Sequence, residues 1–395
     1  MKDISSILDK NVEELIDRAS LEKKLQSGKK LIIKWGADPT RPDLHLGHVV
    51  VLDKLRQFQE AGHKVVFLIG DFTAVIGDPT GRSKTRPILT KAEIEKNAKT
   101  YFDQVGKVLD TKKIQIRKNS EWFNKFSLKD VIQLAAKFSL ARIIERDDFE
   151  QRLKKGIEIR YHEGLYSMMQ AYDSVELKAD VEVGGSDQKY NLLTGRTLQK
   201  KMGQKPQDVM VMPLLVGTDG KKKMSKSLDN YIGVSELPDS IYGKIMSISD
   251  DMIYEYCRLT TTWEDFEIKE IKKELELGEN PRNIKERLAI EIVKRFCGYK
   301  EALKAKEKFD LVFRQKQIPQ DIPEVKMEKG KCEDLPSLLV ELKLAKSKSD
   351  AKRLVIQGGV KIDEARIEDP AAPLCMHDEM IVQVGRRKFI KINLK

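Results

Sequence analysis

The sequence lacks the features that mark disulfide-rich, secreted and membrane-spanning proteins. Its 395 residues include four cysteines, scattered at Cys257, Cys297, Cys332 and Cys375. No two of them have metal-ligand spacing, so reduced structural thiols are expected. No apolar signal region follows the first residues, and no run of about 18 apolar residues occurs. We therefore expect a cytoplasmic protein without a signal peptide or a membrane span.

Length and charge indicate several domains and a polyanionic partner. A chain of 395 residues is expected to form two or three domains. Apolar residues make up 40%, enough for a sizeable core, and charged residues at 34% suit a soluble surface. The formal net charge of +11 favours nucleic acid as a partner. A lysine-rich cytosolic enzyme without such a partner would have the same composition.

Strands alternate with helices through the first part of the chain, which predicts a doubly wound α/β fold with a Rossmann-like parallel sheet. Strands are expected at residues 31–33, 64–70, 114–116, 181–183 and 209–212, with helices near 45–61, 91–109, 128–155, 163–176 and 186–201. Residues 1–30 have the apolar spacing of a helical arm. Ligands of such sheets bind at the carboxyl ends of the strands.

The pattern changes twice after this part, so we predict four segments. Residues 1–232 form the sheet domain with its arm, and 233–313 form an α-helical domain in which strands stop. Residues 314–332 are expected to be a linker, because prolines and a glycine stand among charges. Residues 333–395 predict a small α+β domain, with a helix capped by Ser349 and a strand after Gly358-Gly359.

His45-Leu46-Gly47-His48 follows the first predicted strand and opens a helix. The free N–H groups and the dipole of a helix start favour an anion, and the two histidines lie on one face of that start. Gly47 leaves room for a flat group against the backbone. A nucleoside triphosphate suits this arrangement, although a metal pair, a capping detail or ordinary surface residues would give the same pattern.

A second motif, Lys223-Met224-Ser225-Lys226-Ser227, makes the first one specific. Alone it would be interpreted as a solvated basic loop. The two motifs in this order and spacing resemble those of class I aminoacyl-tRNA synthetases. The surrounding residues resemble the tyrosyl-tRNA synthetase family, in its bacterial type with a C-terminal S4 RNA-binding domain, over essentially the whole chain.

This resemblance implies an enzyme that activates L-tyrosine with ATP and then transfers the tyrosyl group to the terminal adenosine of tRNA(Tyr). It implies Mg²⁺ on the phosphates and a homodimer. Because the first step is mainly positioning and charge stabilisation, no nucleophilic side chain is needed. The resemblance assigns catalysis to Thr40, His45, His48, Lys223, Lys226, Arg82 and Arg86, and ATP binding to Gly36, Asp38, Gly47, Gly185, Asp187, Ser225 and Ser227.

Tyr166, Gln170 and Asp173 recur at positions i, i+4 and i+7, so one helix face carries three polar groups. This suits a small polar ligand, although polar helix faces are common. By resemblance, Asp173 accepts the phenol of tyrosine, while Tyr166, Gln170 and Asp78 hold its ammonium. Gln188 completes the pocket. Lys34 stands where many family members have a tyrosine that contacts the phenol.

Basic residues gather in the last sixty residues, on a predicted helix–helix–strand unit. By resemblance it is an S4-type module in which Lys346, Lys348, Lys352 and Arg353 meet RNA phosphates. A basic surface on a dimerisation domain is the other reading.

Three further functions fit parts of the pattern. A tryptophanyl-tRNA ligase is less consistent with Asp173 and with the added RNA module. A non-catalytic RNA-binding protein on the same scaffold is less consistent with intact His45, His48, Lys223 and Lys226. A nucleotidylyltransferase would lack the second motif.

Overall fold

The computed structural model describes residues 4–39, 42–79, 90–314, 322–328, 334–374, 376–385 and 388–394. The chain divides after Gly298 into an N-terminal unit, residues 1–298, and a C-terminal unit, residues 299–395. The four segments inferred from the sequence divide the chain differently, because segment 233–313 spans the boundary after Gly298. Their bounds stay predictions. No helix in the described residues combines the length and the apolar character that a membrane span needs.

A six-stranded sheet forms the centre of the N-terminal unit. Its strands are β1 (Glu14–Ile16), β2 (Ile32–Ala37), β3 (Lys64–Ile69), β4 (Ile114–Lys118), β5 (Val181–Gly185) and β6 (Asp208–Met212). They lie in the order β1-β6-β5-β2-β3-β4, and all neighbours are parallel except the β1–β6 pair. The predicted parallel sheet is thus confirmed, with one antiparallel strand added at its edge.

The chain reverses its direction of travel across the sheet between β2 and β5. It runs from β2 through β3 to β4 on one side, and returns to β5 and β6 on the other. Strands β2 and β5 are neighbours, with Lys34 opposite Glu182. Loops diverge at such a switch point and leave a crevice at the carboxyl ends of the two strands.

Helices surround the sheet and extend beyond it. They are α1 (Ile4–Asp9), α2 (Arg18–Gln26), α3 (Leu46–Glu60), α4 (Thr73–Ile76), α5 (Lys91–Val105), α6 (Ser120–Phe123), α7 (Leu128–Ala135), α8 (Leu140–Ile144), α9 (Asp147–Lys154), α10 (Tyr161–Leu177), α11 (Lys189–Lys201), α12 (Pro238–Met246), α13 (Ile253–Thr260), α14 (Asp265–Glu276) and α15 (Pro281–Cys297). Local signals set several starts. Thr90 and Glu93 form a capping box before α5, and Asn280 with Pro281 begins α15.

Two helix predictions in this unit were wrong. The arm at residues 1–30 is interrupted by β1, because its backbone pairs with the edge strand β6 in the register Glu14 opposite Val211. The helix predicted over 128–155 is three helices, because Ser139 and Arg146 adopt extended backbone conformations. Tertiary pairing overrode helix-like apolar spacing in the first case.

In its described residues, the C-terminal unit combines three helices with a five-stranded sheet. Its elements are α16 (Tyr299–Arg314), β7 (Glu324–Met327), α17 (Leu335–Glu341), α18 (Lys348–Ile356), β8 (Val360–Ile362), β9 (Ala365–Ile367), β10 (Met380–Val384) and β11 (Lys388–Leu394). The strand order is β7-β11-β10-β8-β9. Helices α17 and α18 share one apolar core with the sheet, which includes Leu338, Leu339, Val355, Val382 and Ile392.

Two predictions for this unit need correction. The predicted linker 314–332 contains β7, which pairs in parallel with β11 and buries Met327. The prolines before it and the charges on both sides obscured this four-residue strand. The helix cap is Ser347 rather than Ser349, because the Ser347 side chain accepts the backbone N–H of Asp350 at 3.2 Å.

Candidate active site

A cavity of about 600 Å³ lies at the switch point, against residues 34–37 of β2 and 182–185 of β5. The start of α3, the face of α10 and the loop after β6 form its other walls. Most of the residues predicted to bind ATP or tyrosine line it: Lys34, Gly36, Asp38, His45, Gly47, His48, Asp78, Tyr166, Gln170, Asp173, Gly185, Asp187, Gln188, Lys223, Ser225, Lys226 and Ser227. Thr40, Arg82 and Arg86 lie outside the described residues.

The histidine pair stands at the N-terminus of α3, with ring centroids 3.9 Å apart. The backbone N–H of His45 donates to Nδ1 of His48 at 3.2 Å, so a neutral His48 carries its proton on Nε2. Burial, with Lys226 nearby, lowers the pKa of His48 to about 3, and burial holds the pKa of His45 well below its usual range. Both rings are therefore neutral N–H donors at pH 7.

Gly47 is required by close packing at this helix start. A Cβ at Gly47 would lie 3.1 Å from the His45 ring and 3.8 Å from the Cβ of Met224. The first distance is shorter than ordinary van der Waals contact. The absence of a side chain thus lets the His45 ring and the loop that carries Met224 approach the backbone together.

The two motif lysines lie on the loop at residues 214–228, and each contacts a different partner. Lys223 Nζ forms an ion pair with Asp187 Oδ2 at 2.6 Å. Lys226 Nζ donates to the Tyr101 hydroxyl at 3.0 Å and lies over its ring. Both lysines retain partial exposure, so an anionic ligand could compete for their ammonium groups.

Helix α10 presents its polar face to the cavity as its periodicity predicted. Tyr166 donates through its hydroxyl to Asp38 Oδ2 at 3.0 Å. Trp122 Nε1 donates to Asp173 Oδ1 at 3.0 Å. The Oε1 atom of Gln170 is buried and has no hydrogen-bond partner among the residues that the structure describes. Such an acceptor suits a ligand that brings its own donor.

Asp173 is buried, and the N–H groups of neighbouring side chains face its carboxyl group. Asn119 Nδ2, which bonds to Thr73 Oγ1 at 3.0 Å, approaches Asp173 Oδ2 at 3.5 Å. Burial raises the pKa of Asp173 to about 8, although Lys34 and Trp122 favour its ionised form. Because this folded-state pKa exceeds the ordinary value of 3.8, ionising Asp173 opposes folding, increasingly as pH rises between these two values.

Lys34 is fully buried and is bonded on several sides. Its Nζ forms an ion pair with Glu182 Oε1 at 2.8 Å and donates to Ser174 Oγ at 2.8 Å and to the Gln170 carbonyl at 3.1 Å. Glu182 also accepts from Ser174 at 3.0 Å and from Gln207. The ammonium at this position is thus committed to protein acceptors, which include a carboxylate from the neighbouring strand.

Asp78 and Gln188 form a second polar group on the cavity wall. Gln188 Nε2 donates to Asp78 Oδ2 at 2.7 Å, and Asn191 Nδ2 donates to Gln188 Oε1 at 3.0 Å. These two bonds fix which end of the Gln188 amide faces the carboxylate.

Sequence reasoning missed five residues that complete the site: Thr73, Tyr101, Asn119, Trp122 and Glu182. Glu182 had a usable signal. A glutamate within one buried strand and a lysine within another predict an ion pair if the two strands are neighbours. The other four had none, because tertiary packing places them. Thr73 and Tyr101 reach the cavity wall from α4 and α5, and Asn119 and Trp122 bond to Asp173 from the start of α6.

The four residues predicted to contact RNA lie in the C-terminal unit. Lys346, Lys348, Lys352 and Arg353 are all exposed, on α18 or just before it. Arg353 also bonds to Asp350 at 2.6 Å. The surface is basic and accessible, as phosphate contacts require.

Two protein families match the chain along most of its length. Residues 26–314 match tRNA synthetases class I (W and Y). Residues 314–392 match the Tyrosine--tRNA ligase SYY-like C-terminal domain.

Two relatives match the sequence of this chain over nearly its full length. The Tyrosine--tRNA ligase of Thermotoga maritima is 50% identical over 388 residues, 98% of this chain and 96% of the relative. That of Francisella tularensis is 48% identical over 397 residues, 100% of this chain and 99% of the relative. These matches do not favour the tryptophanyl or non-catalytic alternatives.

Solved structures support the fold. A C-terminally truncated mitochondrial tyrosyl-tRNA synthetase of Aspergillus nidulans has a TM-score of 0.66 at 24% identity, and the match covers 79% of this chain and 95% of that one. A tyrosyl-tRNA synthetase of Archaeoglobus fulgidus, complexed with L-tyrosine, has a TM-score of 0.61 at 23% identity. The match covers 77% of this chain and 99% of that one. At these identities the likeness concerns the fold.

Replacing Lys34 with methionine should lower the free energy of unfolding of the N-terminal unit by about 3–5 kcal/mol, because Glu182 would stay buried without its cation. Chemical denaturation of the purified chain measures this. Arg142→Met is the matched control, since the Arg142–Glu145 pair has the same 2.8 Å separation but is exposed and should contribute little. Equal losses in the two variants would contradict the assignment.

Proposed function

Because the chain belongs to the tyrosine–tRNA ligase family of class I tRNA synthetases, we propose that tyrosine and ATP react within the cavity of the N-terminal unit. In the first step of the ligase reaction, a carboxylate oxygen of tyrosine bonds to the α-phosphorus of ATP, and pyrophosphate leaves. In the second, the tyrosyl group passes from the adenylate to the terminal adenosine of tRNA, and AMP leaves.

One observation carries this proposal. A single cavity is lined by the two histidines of the first motif, the two lysines of the second and the polar face of α10. The first two sets supply N–H donors and cations, and the third supplies carboxylate, amide and phenol groups. Activation needs both chemistries within reach of one carboxylate–phosphorus bond.

At the ATP end, His45 and His48 act as neutral donors while Lys223 and Lys226 carry positive charge. The charge that develops on the leaving pyrophosphate is stabilised best by fixed donors and cations in a partly dry site. We place the two lysines on the pyrophosphate side, with Ser225 and Ser227 as further donors. The phosphate roles of Thr40, Arg82 and Arg86 stay predictions.

The nucleoside of ATP fits against the start of α3 and the end of β5. We assign the ribose and adenine to His48, Gly47 and Gly185, and the ribose of the adenylate to Asp187. Gly36 and Asp38, at the end of β2, belong to the same subsite. Because Asp187 pairs with Lys223 at 2.6 Å, nucleotide binding would exchange this ion pair for contacts to ribose and phosphate.

At the tyrosine end, Asp173 accepts the phenol and the ammonium lies among Asp78, Tyr166 and Gln170. Support comes from Gln170 Oε1, a buried acceptor without a partner among the described residues. Gln188 closes the pocket beside Asp78. Lys34 acts on tyrosine indirectly, since its ammonium bonds to Glu182 and to the Gln170 carbonyl and offsets the charge of Asp173.

Magnesium fits this site only as part of the nucleotide substrate. No group of three or more His, Cys, Asp or Glu side chains in the described part of the chain could hold a metal ion. Mg²⁺ at phosphate-transfer sites is commonly held by substrate phosphates and water. We therefore infer that phosphate oxygens of ATP carry it.

The exposed basic residues of the C-terminal unit, Lys346, Lys348, Lys352 and Arg353, are the proposed contacts to tRNA phosphates. The slope of tRNA affinity against salt concentration should fall when they are replaced by alanine, because each phosphate contact releases counterions. An unchanged slope would reject them. The cytoplasmic location expected from the sequence stays a prediction.

A homodimer is supported by exposed apolar side chains concentrated between residues 128 and 161, namely Leu128, Ile132, Leu140, Ile144, Leu153 and Tyr161. These six lie on the consecutive helices α7, α8, α9 and α10, and exposed apolar residues that form one patch mark interaction surfaces. Leu128→Glu should increase the monomer fraction in sedimentation velocity, because a buried charge opposes association. Leu277→Glu is the control, since both leucines are about equally exposed, at 76% and 77%. A monomeric parent chain, or equal sedimentation of both variants, would reject this surface.

Lys226→Ala should lower the rate of tyrosyl-adenylate formation by about a hundredfold, because a cation that stabilises the leaving group is lost. The tyrosine Kd should change little, because the loop lies at the ATP end. Rapid-quench measurement of adenylate formation and tyrosine titration separate the two effects. Lys221→Ala, an exposed lysine on the same loop that does not line the cavity, is the control. Equal rates for the two variants would reject the proposed role of Lys226.

A further inference from the structure

Arg146 is a buried arginine with an unusually complete set of contacts. It lies between α8 and α9, is 4% exposed, and forms an ion pair with Asp148 at 3.0 Å. Its guanidinium stacks over the rings of Phe149 and Tyr190, at 4.8 Å and 5.1 Å from their centroids. Because Asp148 balances its charge, the guanidinium can stand near a binding site for a cation without strongly repelling it.

The guanidinium also begins a chain of hydrogen bonds. Nη1 of Arg146 donates to Ser167 Oγ at 2.6 Å and approaches Asn191 Oδ1 at 3.4 Å. Ser167 Oγ donates to the same Asn191 oxygen at 2.8 Å. Two donors thus fix the Asn191 amide with its oxygen towards Arg146 and its Nδ2 away from it.

The other end of the Asn191 amide faces the cavity wall. Nδ2 of Asn191 donates to Gln188 Oε1 at 3.0 Å, and Gln188 Nε2 donates to Asp78 Oδ2 at 2.7 Å. The relay Arg146–Asn191–Gln188–Asp78 therefore has one consistent donor direction. Reversing either amide would set two donors or two acceptors against each other.

We propose that Arg146 is a positioning residue for the amino-acid pocket, which holds Asp78 and Gln188 in the orientation that receives the substrate ammonium. The inference rests on the proposed assignment of Asp78 and Gln188 to the tyrosine pocket. Arg146 touches neither substrate nor reacting atoms, and its effect reaches the pocket through Asn191. The relay thus connects the segment between α8 and α9 to tyrosine affinity.

The test compares Arg146→Met, Arg146→Lys and Asn191→Asp with the parent enzyme in tyrosine-dependent ATP–pyrophosphate exchange. Arg146→Met and Asn191→Asp should raise the tyrosine KM about threefold to tenfold, the effect of one misdirected hydrogen bond. Their kcat should change little, because ammonium binding is shared by ground and transition states. Arg146→Lys should restore part of the loss. Asn191→Asp keeps an acceptor for Arg146 but replaces the donor to Gln188 with a carboxylate oxygen, which repels Gln188 Oε1.

The matched control is Arg152→Met. Arg152 is equally buried, lies in α9 and pairs with Glu163 at 2.5 Å, but it bonds to no member of the relay among the described residues. Its loss should lower stability and leave the tyrosine KM within about twofold. A rise in KM equal to that of Arg146→Met would overturn the proposal, because loosened packing alone would then explain both.

Two inhibitors separate ammonium positioning from general disruption. Tyramine, which keeps the ammonium and lacks the carboxylate, should lose affinity for Arg146→Met and Asn191→Asp. A tyrosine analogue without the amino group should bind them as it binds the parent enzyme. Equal losses for both inhibitors would overturn the proposal.

Asp78→Asn distinguishes this inference from the proposed function. If it raises the tyrosine KM while Arg146→Met and Asn191→Asp do not, the pocket assignment stands and the relay is rejected. If Asp78→Asn leaves KM unchanged, the pocket assignment fails, and the relay's role fails with it.

Discussion

The proposed amino-acid end of the cavity depends on one buried ammonium, which is paired with one carboxylate and acts at longer range on a second. Lys34 and Glu182 face each other from neighbouring parallel strands, and both act electrostatically on Asp173. A buried charge without a partner is strongly destabilising, so Lys34 and Glu182 hold each other in place. Ser174 and Gln207 donate hydrogen bonds to the other carboxylate oxygen of Glu182. Burial raises the pKa of Asp173 and Lys34 favours its ionised form, so the carboxylate proposed to accept the substrate phenol depends on this ion pair as well as on burial.

The end of the cavity proposed to bind ATP combines neutral buried donors with cations on a loop. Its histidines are neutral because burial lowers their pKa values, and its positive charge lies on Lys223 and Lys226 of a loop. Neutral donors cost less to bury than cations do, and the cations on a partly exposed loop can exchange Asp187 and Tyr101 for phosphate oxygens. The switch point between β2 and β5 brings the two ends into one cavity, so the rigid polar pocket proposed for tyrosine meets lysines that can change partners.

Local motifs predicted much of this site, and tertiary packing explains what they could not. The two motifs and the α10 face were visible because each occupies one short stretch. Trp122 and Asn119 gave no signal, because only the fold brings the end of β4 beside Asp173. The strand Glu14–Ile16 was missed for the same reason, since its partner lies almost two hundred residues away. Lys34 was identified as the unusual position, but its partner became apparent only when β2 and β5 proved to be neighbours.

The ratio of kcat/KM for tyrosine to kcat/KM for phenylalanine, followed from about pH 6 to about pH 9, tests the central role of Asp173 most directly. Taking the ratio cancels the pH dependence that comes from groups acting equally on both substrates. Asp173 is neutral below its pKa of about 8 and ionised above it. Only the ionised carboxylate is both a strong acceptor for the phenol and costly to leave unpaired against phenylalanine. The account predicts a ratio that rises about tenfold or more through this range and loses its pH dependence in Asp173→Asn. A ratio that stays constant or falls with pH in the parent enzyme would contradict it.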